Sequence, residues 1–125
     1  MVELLERPDQ RRRVRPDPAI FDLSHLQQYT SGDAGLEREL LDLFLRQLPV
    51  IVVQVRQAQT AYEWKFAFHT LKGSARAIGA NALGNLADAL ETSAALTDGD
   101  WRDQVMCRIA LAMEDFKAEV RRLDH

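Results

Sequence analysis

A chain of 125 residues is the size of one domain and can bury a core without metals or disulfides. Apolar residues make up 46% of it and aromatics only 7%, with Leu and Ala leading the apolar set, which favours helix over strand and predicts an all-α class. The formal net charge of -3 excludes a general attraction to nucleic acid. Cys107 is the single cysteine, so no internal disulfide is possible and a reducing cytoplasm suits the chain. No apolar run approaches the roughly 20 residues of a membrane span, and the N-terminus shows no signal-peptide pattern. The expected location is therefore the cytoplasm.

Residues 1–18 mix Glu3, Glu6 and Asp9 with Arg7, Arg11, Arg12, Arg13 and Arg15, and include Pro8, Pro16 and Pro18. With little apolar surface to pack, they are predicted to form a flexible arm ahead of a helical domain over 19–125. Arg11 to Arg13 could meet an acidic partner or nucleic acid, but the neighbouring acids leave the arm nearly neutral, and a solvated tail is the plainer reading. Ser24 and Gln27 have the spacing of a capping box, which predicts a short helix to about Tyr29 and then a turn over Thr30, Ser31, Gly32 and Asp33. His25 falls in its first turn with no acid or cysteine at metal-ligand spacing, and reads as a solvated or capping side chain.

From Leu36 an apolar stripe of Leu40, Phe44, Leu48, Ile51, Val55 and Ala58 predicts the second helix. Pro49 lies inside it and is expected to bend it, while the apolar phase on both sides keeps it one helix. Thr60 and Glu63 form a second capping box, opening a helix whose stripe is Trp64, Phe68, Leu71, Ala75 and Ile78. Gly79 suits a left-handed C-cap, and Asn81 is predicted to cap the next helix, which buries Leu83, Leu86, Ala87, Leu90 and Ala94. So short a connection makes these two helices antiparallel neighbours. A turn over Thr97, Asp98, Gly99 and Asp100, with Asp100 as N-cap, leads to a last helix with Val105, Ile109, Ala112, Phe116, Val120 and Leu123 inward. The predicted fold is an antiparallel four-helix bundle with a short additional N-terminal helix covering one end. All four stripes can be satisfied within one chain, which points to a monomer.

His69 is not on the stripe of its helix. It shares the opposite side with Lys65, Lys72, Gly73 and Arg76, so an imidazole is expected on an exposed basic strip. Glycine inside a helix costs roughly 0.5 to 1 kcal/mol relative to alanine, and Gly73 lies away from the stripe, where tight helix packing would not need it. The functional reading is steric access: with no side chain one turn from His69, a partner can close over the ring. The bland reading of Lys65, Lys72 and Arg76 is a solvated basic face, and that of His69 an inert surface histidine.

Together, His69, Leu71, Lys72, Gly73, Ser74, Ala75, Ile78, Gly79, Ala80, Leu83, Leu90 and Glu91 resemble the histidine-containing phosphotransfer family, the HPt domains. Phe68 departs from the pattern, which has a small residue before the histidine. The resemblance implies that His69 is a phosphoacceptor carrying a phosphoryl group between receiver-domain aspartates, with Lys72 stabilising that group and Gly73 giving access. Lys65 and Arg76 would contact the partner. It further implies response-regulator receiver domains and hybrid sensor histidine kinases as partners, Mg²⁺ on the receiver rather than here, no cofactor or metal, and no autonomous kinase activity. The chemistry suits the residues, since imidazole has a reference pKa of about 6.5 and offers an unprotonated nitrogen near pH 7 without a dedicated base. A lysine charge about 4 Å from the phosphoryl oxygens is worth between about 1 kcal/mol in bulk water and about 4 kcal/mol near a protein surface.

Two other classes stand beside this reading. A histidine-bearing fragment of a sensor kinase would usually have an acid after the histidine, where Thr70 stands, and a Gly-rich ATP-binding segment, which is absent from the sequence. Chemotaxis-kinase relatives often carry a histidine where Asp88 stands. A structural or adaptor bundle that docks a response regulator without phosphotransfer accounts for the helices, but not for His69, Lys72 and Gly73 together.

Overall fold

A computed structural model of the chain describes residues 15–92 and 99–123. Among the described residues there are five helices and no strand: α1 (Leu23–Thr30), α2 (Ala34–Gln57), α3 (Ala61–Ile78), α4 (Asn81–Glu91) and α5 (Gly99–Arg122). None is long and apolar enough to cross a membrane.

The starts of α1, α2 and α3 are set by hydrogen-bonded side chains. The N-cap of α1 is Asp22, whose carboxylate accepts from the His25 N–H at 3.2 Å, so the expected Ser24 capping box does not form and Ser24 sits inside the first turn. The ring of His25 lies edge-on to Tyr29. Asp33 caps α2 by accepting from the Leu36 N–H at 3.1 Å. That helix runs uninterrupted across Pro49 and buries Leu41, Phe44, Leu48, Ile51 and Val55. Leu41 takes the core position expected of Leu40, which is half-buried, because a run of 41, 44, 48, 51 and 55 holds the helical phase better. In α3 the capping box is complete: Thr60 Oγ1 accepts from the Glu63 N–H at 3.0 Å, and Glu63 Oε1 accepts from the Thr60 N–H at 3.1 Å.

Gly79 ends α3 in the left-handed region, φ 90°. Its carbonyl accepts from the Asp22 N–H at 2.8 Å, which pins the entry of α1 to the turn between α3 and α4. The predicted Asn81 cap is corrected: the N-cap of α4 is Ala80, with no side-chain bond, and Asn81 donates instead to the Pro18 carbonyl at 3.1 Å. Asp100 lies inside α5 rather than capping it, where an acid still complements the helix N-terminus. Ala94, Thr97 and Asp98 fall outside the described residues.

The core is built from the inward stripes. All five predicted residues of α3 are buried with Ala67, and α5 contributes Val105, Ile109, Met113, Phe116 and Val120. Met113 takes the inward place, while Ala112 packs at the core edge. Phe116 meets Phe21 and Phe44 edge-on, each at 5.3 Å between ring centres. Residues 15–18, predicted to belong to a loose arm, are attached: Pro16 is buried and the Asp17 N–H donates to the buried carboxylate of Glu119 at 2.7 Å. The proline ring and the backbone donor thus find partners that composition alone does not reveal. The rest of that arm, residues 1–14, lies outside the described residues.

Candidate functional site

The α3–α4 hairpin is antiparallel, and its register brings α3 residues 69, 72 and 76 opposite α4 residues 91 and 88. His69 is fixed from below by Phe68 and Leu71, both buried, while its own side chain is 68% exposed. Phe68 packs on Trp64 with ring centres 4.8 Å apart, so the large residue before the histidine points into the core and leaves the imidazole outward. His69 Nδ1 lies 3.3 Å from Glu91 Oε1, and the same oxygen lies 2.8 Å from Lys72 Nζ. Lys72 Nζ also reaches Asp88 Oδ1 at 3.3 Å, and Arg76 Nη2 reaches Asp88 Oδ2 at 3.4 Å. A chain of hydrogen-bonded and charged side chains therefore runs from the imidazole across the hairpin.

Lys72 and the two carboxylates hold one another ionised. Hydrogen bonding from Lys72 lowers the pKa of Glu91, with a smaller contribution from His69, and Lys72 likewise lowers that of Asp88, helped by Arg76. The hydrogen bond to Glu91 in turn raises Lys72, against its desolvation. An ionised carboxylate can only accept, so Nδ1 carries the proton in its contact with Glu91. The neutral ring then has its lone pair on Nε2.

The structure brings the predicted residues together unequally. Lys72 is expected beside a phosphoryl group, yet its side chain is only 17% exposed and its ammonium already lies between two carboxylates. It holds Glu91 as well as Asp88. Gly73 meets the expectation of open space: a Cβ built there touches nothing within 4 Å. Arg76 is tied to Asp88, and Lys65 lines a shallow apolar cleft of about 230 Å³ with Tyr62, Phe66 and His69. Tyr62 and Phe66 are 75% and 54% exposed and stack at 6.2 Å, giving the histidine an apolar border on its N-terminal side. In the sequence, Glu91 stands out only as part of the family motif and Asp88 only as a departure from chemotaxis kinases, while Tyr62 and Phe66 carry no assigned role. The signal was present: Asp88 and Glu91 are three apart, facing Lys72 and Arg76, four apart, across a hairpin closed at Gly79.

The model of the Hpt domain family matches residues 39–124. The chain belongs to the Hpt domain family. Comparisons with curated proteins and with solved structures gave no match. Membership implies a part in phosphorelay histidine phosphotransfer, and Hpt domains interact with receiver domains of response regulators and hybrid kinases. The matched span of this Hpt domain begins inside α2 and holds His69, Lys72, Gly73, Asp88 and Glu91. Residues 15–22 and α1 precede that span and are joined to it through the Asp22–Gly79, Asn81–Pro18 and Asp17–Glu119 hydrogen bonds.

Proposed function

We propose that this Hpt domain accepts a phosphoryl group on His69 from a receiver-domain aspartate and returns it to another. The observation that carries the reading is the exposed imidazole with Nδ1 bonded to Glu91. With the Nδ1 proton held there, the Nε2 lone pair attacks phosphorus, the N–P bond forms, and the P–O bond to the donor aspartate breaks, its carboxylate leaving on the partner. The reverse step regenerates the same neutral tautomer. Lys72 places one partly neutralised positive charge near the site, enough to favour the phosphoryl group without trapping it. Gly73 leaves room for the partner, with Lys65 and Arg76 at the rim.

The wider reading follows from this chemistry. The partners are receiver domains of response regulators and hybrid sensor histidine kinases, which supply Mg²⁺ and the acidic pocket. The domain has no kinase activity of its own and works as a cytoplasmic monomer, an antiparallel four-helix bundle with α1 across one end. Incubation with a phosphorylated receiver and Mg²⁺ tests it: the parent should gain acid-labile, base-stable phosphate, and His69→Gln should gain none while its stability stays within about 0.5 kcal/mol. Labelling that persists in this variant would move the site to His25 or His125 and overturn the assignment. The exposed Tyr62 and Phe66 favour a second reading, an adaptor that docks a regulator without transfer. Receiver binding with no phosphate on His69 would select that alternative.

A further inference from the structure

Glu91 is the last residue of α4, a helix of 11 residues with no side-chain cap at its start. The end of so short a helix frays unless something holds its final carbonyls. In this hairpin the neighbouring residue is held from the opposite helix. The indole N–H of Trp64 donates to the Leu90 carbonyl at 2.8 Å, and both residues lie almost wholly out of solvent. A leucine or phenylalanine at 64 would also be buried, but it would leave part of the indole's volume empty and the Leu90 carbonyl without this donor. Its ring is fixed on two sides, by Phe68 at 4.8 Å and by the Arg102 guanidinium 5.6 Å from the ring centre. Arg102 is itself anchored, donating to the carbonyls of Arg56 at 3.0 Å and Ala58 at 2.8 Å. A braced donor therefore meets the backbone one residue before the carboxylate that touches His69.

We propose that Trp64 is a positioning residue for phosphotransfer: its hydrogen bond to Leu90 sets the last turn of α4 so that Glu91 reaches both His69 Nδ1 and Lys72 Nζ. The proposal rests on the phosphotransfer reading for its rate consequence, but its geometric half stands apart from it. Trp64 touches no reacting atom and acts only through Glu91. Losing the N–H leaves the ring packing in place and lets the carboxylate drift, and the imidazole then loses the partner that keeps the proton on Nδ1.

Two readouts on the full chain decide it: the tautomer of His69, from long-range ¹H–¹⁵N correlations, and the rate of phosphorylation by phosphoramidate, which needs no partner protein. The parent should hold the Nδ1–H tautomer in excess. Trp64→Phe should shift it toward that of a free imidazole and slow labelling by about threefold to tenfold, with Glu91→Ala slowing it at least as much. In the Glu91→Ala background, Trp64→Phe should add nothing, whereas a residue that merely stabilises the fold would slow labelling in both backgrounds alike. Should Trp64→Phe not fold, 3-benzothienylalanine at position 64 keeps the ring shape and lacks only the N–H. An unmoved tautomer in the variant lacking the N–H overturns the proposal, and so does an unmoved tautomer in Glu91→Ala. If the parent takes no phosphate on His69, the phosphotransfer reading fails, while the tautomer comparison still decides whether Trp64 places Glu91.

Discussion

Gly73 and Gly79 lie six residues apart on one helix and its cap, and their surroundings are opposite. Gly79 has φ +90°, and a Cβ there would stand 2.5 Å from the Asp22 carbonyl oxygen. Both backbone conformation and space demand glycine. Gly73 has an ordinary helical backbone and nothing within 4 Å of an added Cβ. The fold makes no use of its missing side chain, and helix propensity argues against it. No packing reason requires glycine at this position, one turn from an exposed histidine. The difference teaches that the conformation and the space around a glycine have to be known before its role can be assigned.

Substitutions at these positions can break or sharpen the contrast. Gly79→Ala should cost most, about 2 to 4 kcal/mol in urea unfolding, from the positive φ and the displacement of the Asp22 backbone. A loss below about 1 kcal/mol would mean that the start of α1 yields easily and that the contrast is one of degree. Gly73→Glu should leave the melting curve nearly in place yet cut transfer from a phosphorylated receiver by at least about tenfold, by filling the approach and repelling the phosphoryl group. Unchanged transfer would remove the docking explanation. Gly73→Ala should stabilise the domain by up to about 1 kcal/mol, and a lower melting temperature would show that position 73 packs against something. Gly84→Ala should change stability least, about 0 kcal/mol, because the propensity gain is offset where the new Cβ meets Arg76 Cγ at 3.0 Å. A clear loss in thermal melting would show that the Arg76 stem cannot give way.

Much of α3 was legible in the sequence because its evidence is local. The stripe of Trp64, Phe68, Leu71, Ala75 and Ile78 repeats at the helical period, Thr60 and Glu63 lie within one turn, and Gly79 follows the last apolar position. Two of the misreadings fall where nearby residues are equally suited and the fold chooses between them. Asp22 and Ser24 can both cap a helix, but the bond from the Asp22 N–H to Gly79 holds Asp22 in the extended backbone a cap needs. Leu40 and Leu41 are alike in composition, and only the helical phase of the core separates them. At the site, Lys72 is expected to offer its charge freely to a phosphoryl group because nothing within its own helix opposes it. Its carboxylates come from α4, and only the hairpin register brings them within reach.

The bond between Asp17 and Glu119 has a consequence for the order in which the molecule can come apart. Its partners are 102 residues apart along the chain, whereas His69 and Glu91 are separated by 22 and Lys72 and Asp88 by 16. Loop closure costs roughly 0.6 kcal/mol more per doubling of length, so joining the outer pair costs about 1.3 kcal/mol more in chain entropy than joining the histidine to its carboxylate. The reactive hairpin is thus a region of low contact order inside a domain whose outermost tie is nearly as long as the described chain. Local opening at residues 15–18 can release that tie without parting His69 from Glu91.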